Sequence, residues 1–339
     1  MIARFEWVDA KSVEEAIAAL AREEGDIGHS PLAKAGGVDV LDRLKEGLDT
    51  PGRLVNLRTV PGLDRIEEIE GGGLSIGALA TLAHLDLDPK VRARYPALAD
   101  AAGHAATPNV RQAATLGGNL LQRPRCWYFR SADFHCLKKG GGHCFAQEGE
   151  NDYHAIFGNR LCAIVHPSAA AVALTALGAE IEIAGPKKKR TLPIEDLFVR
   201  PELDVHREHA LDSDEILTAV RLPALPAGAR NAYLKLGEKE SFDWPIAEAA
   251  VRLDFETPEG GKVKNARIVL GAAAPIPWRA KQAEAALAGR PVTPETARTA
   301  AKAAVEGATP LAHNAYKIPI LETIVRRAIL AAAGTPEPA

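Results

Sequence analysis

Cysteine is absent from this chain everywhere except between positions 126 and 162, where all four occur. An export leader is not expected either. The opening MIARFEWVDAKSVEEA has no apolar core and runs straight into helix-like sequence, so a disulfide-built secreted fold is not expected. No apolar run approaches the roughly 18 residues of a membrane span, which argues against membrane insertion. Net charge is small, −3 from 41 basic and 44 acidic residues, and gives no support to a nucleic-acid or membrane-surface role. No Ser/His/Asp grouping or carboxylate pair suggests hydrolysis, and the ten histidines are scattered, each read as surface or structural. What is present is an ordinary globular composition, 47% apolar and 25% charged over 339 residues. That length is enough for two or three domains with a sizeable core.

The first segment reads strand, helix, strand, helix, strand. Ser12-x-x-Glu15 is a capping box for a helix carrying Val13, Ile17 and Leu20 on one face and ended by Gly25. Leu32–Ala35 reads as a short strand, Gly36-Gly37 as a turn, Val38–Leu44 as a helix with Val40, Leu41 and Leu44 inward, and Arg53–Leu57 as a strand. A hairpin follows over 66–79 with Gly71-Gly72-Gly73 at its turn, then helices over 81–87 and 90–102. A helix at 168–178 and a strand at 179–184 lead to Lys187-Lys188-Lys189-Arg190, read as a solvated hairpin turn. A Pro-rich break at 222–226 marks a domain boundary. Strands near Tyr233, at 246–253 and at 263–272 then give way to helices, one capped by Thr293 with Pro294 behind it and the last running from Ile318 to Ala333. The final TPEPA reads as a loose tail.

Two glycine pairs, Ala35-Gly36-Gly37-Val38-Asp39 and Thr115-Leu116-Gly117-Gly118-Asn119, leave backbone N–H groups unshielded, as an anion such as pyrophosphate requires. The first also opens a helix, whose dipole favours phosphate. Neither fits G-x-G-x-x-G, so a Rossmann fold is not implied.

Cys126, Cys136, Cys144 and Cys162 are separated by nine, seven and seventeen residues. Three readings stay open: disulfides, of which four cysteines allow three pairings, structural zinc, and an iron–sulfur cluster. Zinc could also recruit His135 or His143, but no C-x-x-C knuckle is present. A cluster tolerates the wide spacing, and an irregular stretch this long calls for something to organise it.

The order strand–AGGVDVL–helix, SIGALATLAHL, VRQAATLGGNLLQ, YLK and finally NAYKIPILETIVRRAI resembles the FAD-binding medium subunit of the molybdenum hydroxylases, the xanthine dehydrogenase and carbon monoxide dehydrogenase group. The likeness covers nearly the whole chain. The cysteine run RCWYFR…HC…HC…EGENDYHAIFG…LCAIVHPS further resembles the medium subunit of bacterial three-subunit aldehyde oxidoreductases, which carries an extra [4Fe–4S] cluster. The resemblance implies an α+β chain: a two-part FAD-binding domain of the PCMH/CO dehydrogenase flavoprotein type, with parts at 1–60 and 61–223, a cluster loop at 122–165, and a C-terminal α+β domain at 228–335.

The same resemblance implies the site. Lys34, Ala35, Gly36, Gly37, Val38, Asp39 and Val40 would cradle the FAD pyrophosphate, with Thr81 nearby, and Thr107, Thr115, Gly118 and Asn119 would form the opposite wall. Leu217 and Lys235 would flank the isoalloxazine, and the four cysteines would hold the cluster. The family's usual Asp after His-Pro-Ser is Ala169 here, with Ser168 as a partial substitute, and Val38 replaces a common Thr. The implied role is electron transfer without organic-substrate binding. A large molybdenum–pterin subunit would oxidise an aldehyde or heterocycle, and a small subunit with two [2Fe–2S] clusters would feed the FAD. Assembly would be cytoplasmic, with periplasmic export only on a partner's twin-arginine signal. The rival readings are a stand-alone FAD-dependent oxidase and a non-enzymatic zinc scaffold.

Overall fold

The computed structural model describes residues 2–22, 29–240 and 242–335, and builds them on three sheets. The first contains β1 (Glu6–Asp9), β2 (Leu32–Lys34) and β3 (Arg53–Asn56), with β3 central and parallel to both neighbours. Ser12 caps the helix Val13–Leu20, its hydroxyl accepting from the Glu15 N–H at 3.0 Å, while the Glu15 carboxylate accepts from the Lys11 N–H. This helix stops at Leu20; Gly25, the expected terminator, lies outside the described residues. In the helix Val38–Lys45, Val40 and Leu44 pack with Leu54 of β3. Leu41 was expected inward but is 40% exposed. One position past Val40 turns the side chain about 100° around the axis, off the buried stripe.

The second sheet is antiparallel in the order β4 (Ile66–Glu68), β5 (Leu74–Gly77), β8 (Ile216–Leu222), β6 (Glu180–Ala184), β7 (Lys189–Pro193). Gly71 and Gly72 supply the positive φ of the β4–β5 turn. The helix Ala169–Leu177, buried along its whole length, contributes to the largest core with Leu74, Ile76, Ile181, Ile183, Val220 and Leu222. The basic run is only half a turn: Lys189 and Arg190 already belong to β7, and Arg190 pairs with Glu215 at 2.6 Å.

The helix expected over 90–102 is two helices, Pro89–Arg94 and Pro96–Gly103. Pro96 has no N–H to continue the ladder and forces Tyr95 out of helical geometry, at φ −131°. The break is repaired from a distance. Asn231, nearly buried, accepts from the Ala97 N–H at 2.9 Å and donates to the Arg94 carbonyl at 3.2 Å.

Asn231 lies on the third sheet, antiparallel in the order β12 (Trp278–Arg279), β11 (Gly260–Gly271), β10 (Ala247–Thr257), β9 (Arg230–Leu236). Period-2 alternation divides its faces. Ala247, Ala249, Val251 and Leu253 join a core built with the helices Pro294–Ala304 and Lys317–Ala333. Tyr233, Ala250 and Val269 point the other way, into the core of the second sheet. Thr293 and Thr296 close a capping box, and Gly334 ends the last helix in the left-handed conformation. Among the described residues no helix is long and apolar enough to cross a membrane.

Replacing Asn231 by Leu should strand two backbone groups at the Pro96 break and cost about 2–4 kcal/mol. Urea unfolding monitored by circular dichroism should show the midpoint falling with little change in slope.

Candidate functional site

A cavity of about 520 Å³ lies where the three sheets converge. One wall is the β2-to-helix junction. Gly37 takes φ +84° there, with no side chain capping the helix it opens. The first N–H groups of that helix have no acceptor within it and form a ready anion cradle. A Cβ on Gly36 would overlap the Ala113 carbonyl oxygen, so glycine is what lets this loop close on the segment leading to Thr115. On the opposite wall Thr115 caps the short helix Leu116–Leu120, its hydroxyl accepting from the Gly118 N–H at 3.1 Å.

Of the residues singled out from the sequence, Ala35, Gly36, Gly37, Val38, Asp39 and Val40 line this cavity from one side. Thr107, Thr115, Gly118, Asn119, Leu217 and Lys235 line it from the others. Three do not. Lys34 places its ammonium 5.3 Å from the centre of the Trp7 ring. Thr81 lines a neighbouring cavity of about 270 Å³ with Arg58 and His84. Ser168 is fully buried behind the wall, where its hydroxyl donates to Asn119 Oδ1 at 2.6 Å and caps the following helix. Ala169, the position at which the sequence resemblance implies a carboxylate, does line the cavity.

Several lining residues escaped the sequence reading. Phe242 and Trp244, about half exposed, form a rim and meet the guanidiniums of Arg111 at 5.7 Å and Arg125 at 5.1 Å. Glu248 lies behind the Lys235 wall with no exposed surface. Tyr233 donates its hydroxyl to Glu248 Oε2, Oε1 has no partner, and burial pushes the carboxyl up to about 7. Only its position in an apolar strand run could have flagged it. Lys235 donates to the His104 carbonyl at 2.9 Å, and its pKa is lowered by the same burial.

Asp39 ties this cavity to the cysteine segment. Its carboxylate accepts from Arg43 at 3.3 Å, Arg130 at 2.7 Å, Arg125, and the Arg123 N–H at 3.1 Å. Three of these donors, from 123, 125 and 130, flank Cys126. The segment itself is irregular, with one helical turn at Trp127–Arg130 and single 3₁₀ turns at Leu137–Lys139 and Phe145–Gln147.

Within it the four cysteines, none in a disulfide, face one small void of about 10 Å³ walled by Tyr128, Phe129 and Phe145. Burial pushes the Cys126 thiol up to about 12. Cys144 and Cys162 share a hydrogen bond that lowers the pKa of the first and raises that of the second. His135 and His143 do not line this void; His154 does, with Nε2 3.2 Å from Cys126 Sγ. Lys138, nearly buried beside the thiols, donates to the Val205 carbonyl and pairs with Glu208 at 2.8 Å. Among the described residues no group of three or more His, Cys, Asp or Glu side chains is arranged to hold a single metal ion. Four thiols in one apolar enclosure, with the buried Lys138 beside them, are the donor set that an iron–sulfur cluster would use.

Comparison with known proteins agrees along the chain. Residues 3–225 match the FAD binding domain in molybdopterin dehydrogenase, and residues 232–332 match the CO dehydrogenase flavoprotein C-terminal domain. The aldehyde oxidoreductase FAD-binding subunit PaoB of Escherichia coli is 34% identical over 287 residues, 84% of this chain and 86% of that protein. The carbon monoxide dehydrogenase medium chain of Hydrogenophaga pseudoflava is 30% identical over 333 residues, 97% of each chain. A solved structure of carbon monoxide dehydrogenase from that organism, lacking the Mo-pyranopterin moiety, superposes with a TM-score of 0.75, covering 98% of both chains at 30% identity.

Glu208 supplies a pH test of the link around the cysteine segment. Burial alone would raise its carboxyl, but Arg123 and Lys138 outweigh that and hold it below the ordinary 4.5. The unfolded chain therefore binds the proton more readily, so the Glu208 contribution is complete above about 4.5 and fades as pH falls through the lower folded-state value. Thermal unfolding between pH 7 and 3 should show E208Q less stable at neutral pH and the gap to wild type closing toward the acid end.

Proposed function

The chain belongs to the FAD-binding medium subunits of the molybdenum hydroxylases, and we propose that it is the electron-transfer subunit of an aldehyde-oxidising member of that family. The carrying observation is the cavity walled by both glycine segments, with Gly36 closed against the 113–115 backbone and an uncapped helix N-terminus on one side. A long, doubly anionic dinucleotide fits such a site: backbone donors for its pyrophosphate at one end, and an apolar slot with Leu217, Lys235 and Trp244 for a flat ring at the other.

In this reading Ala35 to Val40 hold the pyrophosphate, with Lys34 and Thr81 supporting the loops around it. Thr107, Thr115, Gly118 and Asn119 hold the intervening chain, and Ser168 fixes the Asn119 amide. Cys126, Cys136, Cys144 and Cys162 hold a [4Fe–4S] cluster, a reading supported by their common apolar enclosure and by the buried Lys138 beside it. When bound, FAD would store two electrons between the [2Fe–2S] centres of a small subunit and an external acceptor, and the cluster would add a one-electron carrier. The protein's part is to orient the ring, exclude water from it with Phe242 and Trp244, and keep Lys235 beside it. Organic-substrate oxidation belongs to a large molybdenum–pterin subunit.

The three sheets support a division into 1–60, 61–223 and 228–335. We place assembly in the cytoplasm.

Isolated protein should carry one FAD, four irons and four sulfides per chain, and reduce with aldehyde only when the large and small subunits are added. Aldehyde oxidation by the chain alone would favour a free-standing oxidase; zinc without flavin would favour a scaffold.

Gly36→Ala should lower the FAD-to-protein absorbance ratio at least tenfold while leaving iron content within a factor of two. Cys136→Ser should do the reverse, losing iron and keeping flavin.

A further inference from the structure

His154 has no part in the function above, yet its surroundings are those of a working residue. Only 3% of it is exposed. Its Nε2 lies 3.2 Å from Cys126 Sγ, and its Nδ1 is buried without any hydrogen-bond partner. Of its two ring nitrogens this histidine spends one, and spends it on sulfur.

The ring and the backbone that carries it are both held. Trp127 meets it edge-on, with ring centres 4.9 Å apart. The His154 backbone N–H donates to the Asn151 carbonyl at 3.0 Å. Its carbonyl accepts from Lys317 Nζ at 3.0 Å and Asn314 Nδ2 at 3.1 Å. Both donors are almost completely buried, and Lys317 also donates to the Ala272 carbonyl at 2.6 Å. A buried ammonium and a buried amide thus fix one turn of chain and aim one imidazole at one cysteine.

Resting on the cluster reading above, we propose that His154 donates a hydrogen bond from Nε2 to the Cys126 sulfur and sets the reduction potential of the metal group held by the four thiolates. A metal-bound thiolate has no proton and can only accept, so the nitrogen facing it must carry the hydrogen. That tautomer leaves Nδ1 as a bare acceptor, which is less costly to strand than an N–H. An N–H···S bond draws electron density from the sulfur and stabilises the more negative, reduced form, so its presence raises the potential. Lys317 and Asn314 are then positioning residues acting through His154.

The test is a mediated redox titration of the holoprotein followed by electron paramagnetic resonance. His154→Phe keeps a ring against Trp127 and removes the donor; its iron–sulfur midpoint should fall below wild type while the flavin midpoint stays. His154→Gln, which keeps an N–H, should lie between the two. An unchanged iron–sulfur midpoint in iron-loaded H154F, or an equal fall of both midpoints, would overturn the proposal. Should H154F fail to hold iron, wild-type protein labelled with ¹⁵N-histidine carries the test. A ¹⁵N nucleus coupled to the reduced cluster in a spin-echo experiment supports the bond, and its absence sinks it. Wild-type protein without iron would overturn the cluster reading itself, and is distinguished by metal analysis before any variant is made.

Discussion

Much of this molecule depends on how one carboxylate is shared. Asp39 stands in the first turn of the helix that opens the cavity, and the guanidiniums of Arg43, Arg125 and Arg130 converge on it. Three cations around one partly buried anion would repel one another strongly if the anion were lost. The helix that follows the glycine loop is thereby tied through Asp39 to the arginines that flank Cys126. Arg123 extends the arrangement, giving its N–H to Asp39 and its guanidinium to Glu208, which also receives Lys138. The glycine loop and the thiol loop are two ends of one ionic lattice.

The fold was largely readable because its signals are local. Ser12 and Thr293 cap helices, Gly71 and Gly72 turn a hairpin, and apolar runs give β10 and β11. Pro96 was equally local and was passed over, because a proline one turn into an apolar run looks tolerable until its neighbour's geometry is fixed. Leu41 shows the limit of counting apolar residues on a short helix, where the buried stripe admits two positions and not three.

The site was legible where backbone makes it and illegible where side chains meet across the chain. Both glycine segments announced themselves. Glu248 and His154 did not, since each matters through a partner far away or absent: an unpaired oxygen behind the cavity wall, and a ring nitrogen 28 positions from its cysteine. His135 and His143 adjoin cysteines in sequence and yet stay outside the thiol enclosure, while His154 enters it from a turn fixed by the last helix. Adjacency along the chain was a poor guide to adjacency in space within an irregular segment.

The cavity takes its walls from all three sheets, so no single part of the chain owns it. An occupant that touches every wall acts as a missing piece of core, and its binding free energy adds to the cohesion of the whole by mass action. Melting temperature then becomes a reading of ligand concentration, and the empty chain is the form that cellular proteases meet first. Cofactor binding thus bears on the stability of this protein as well as on its redox competence.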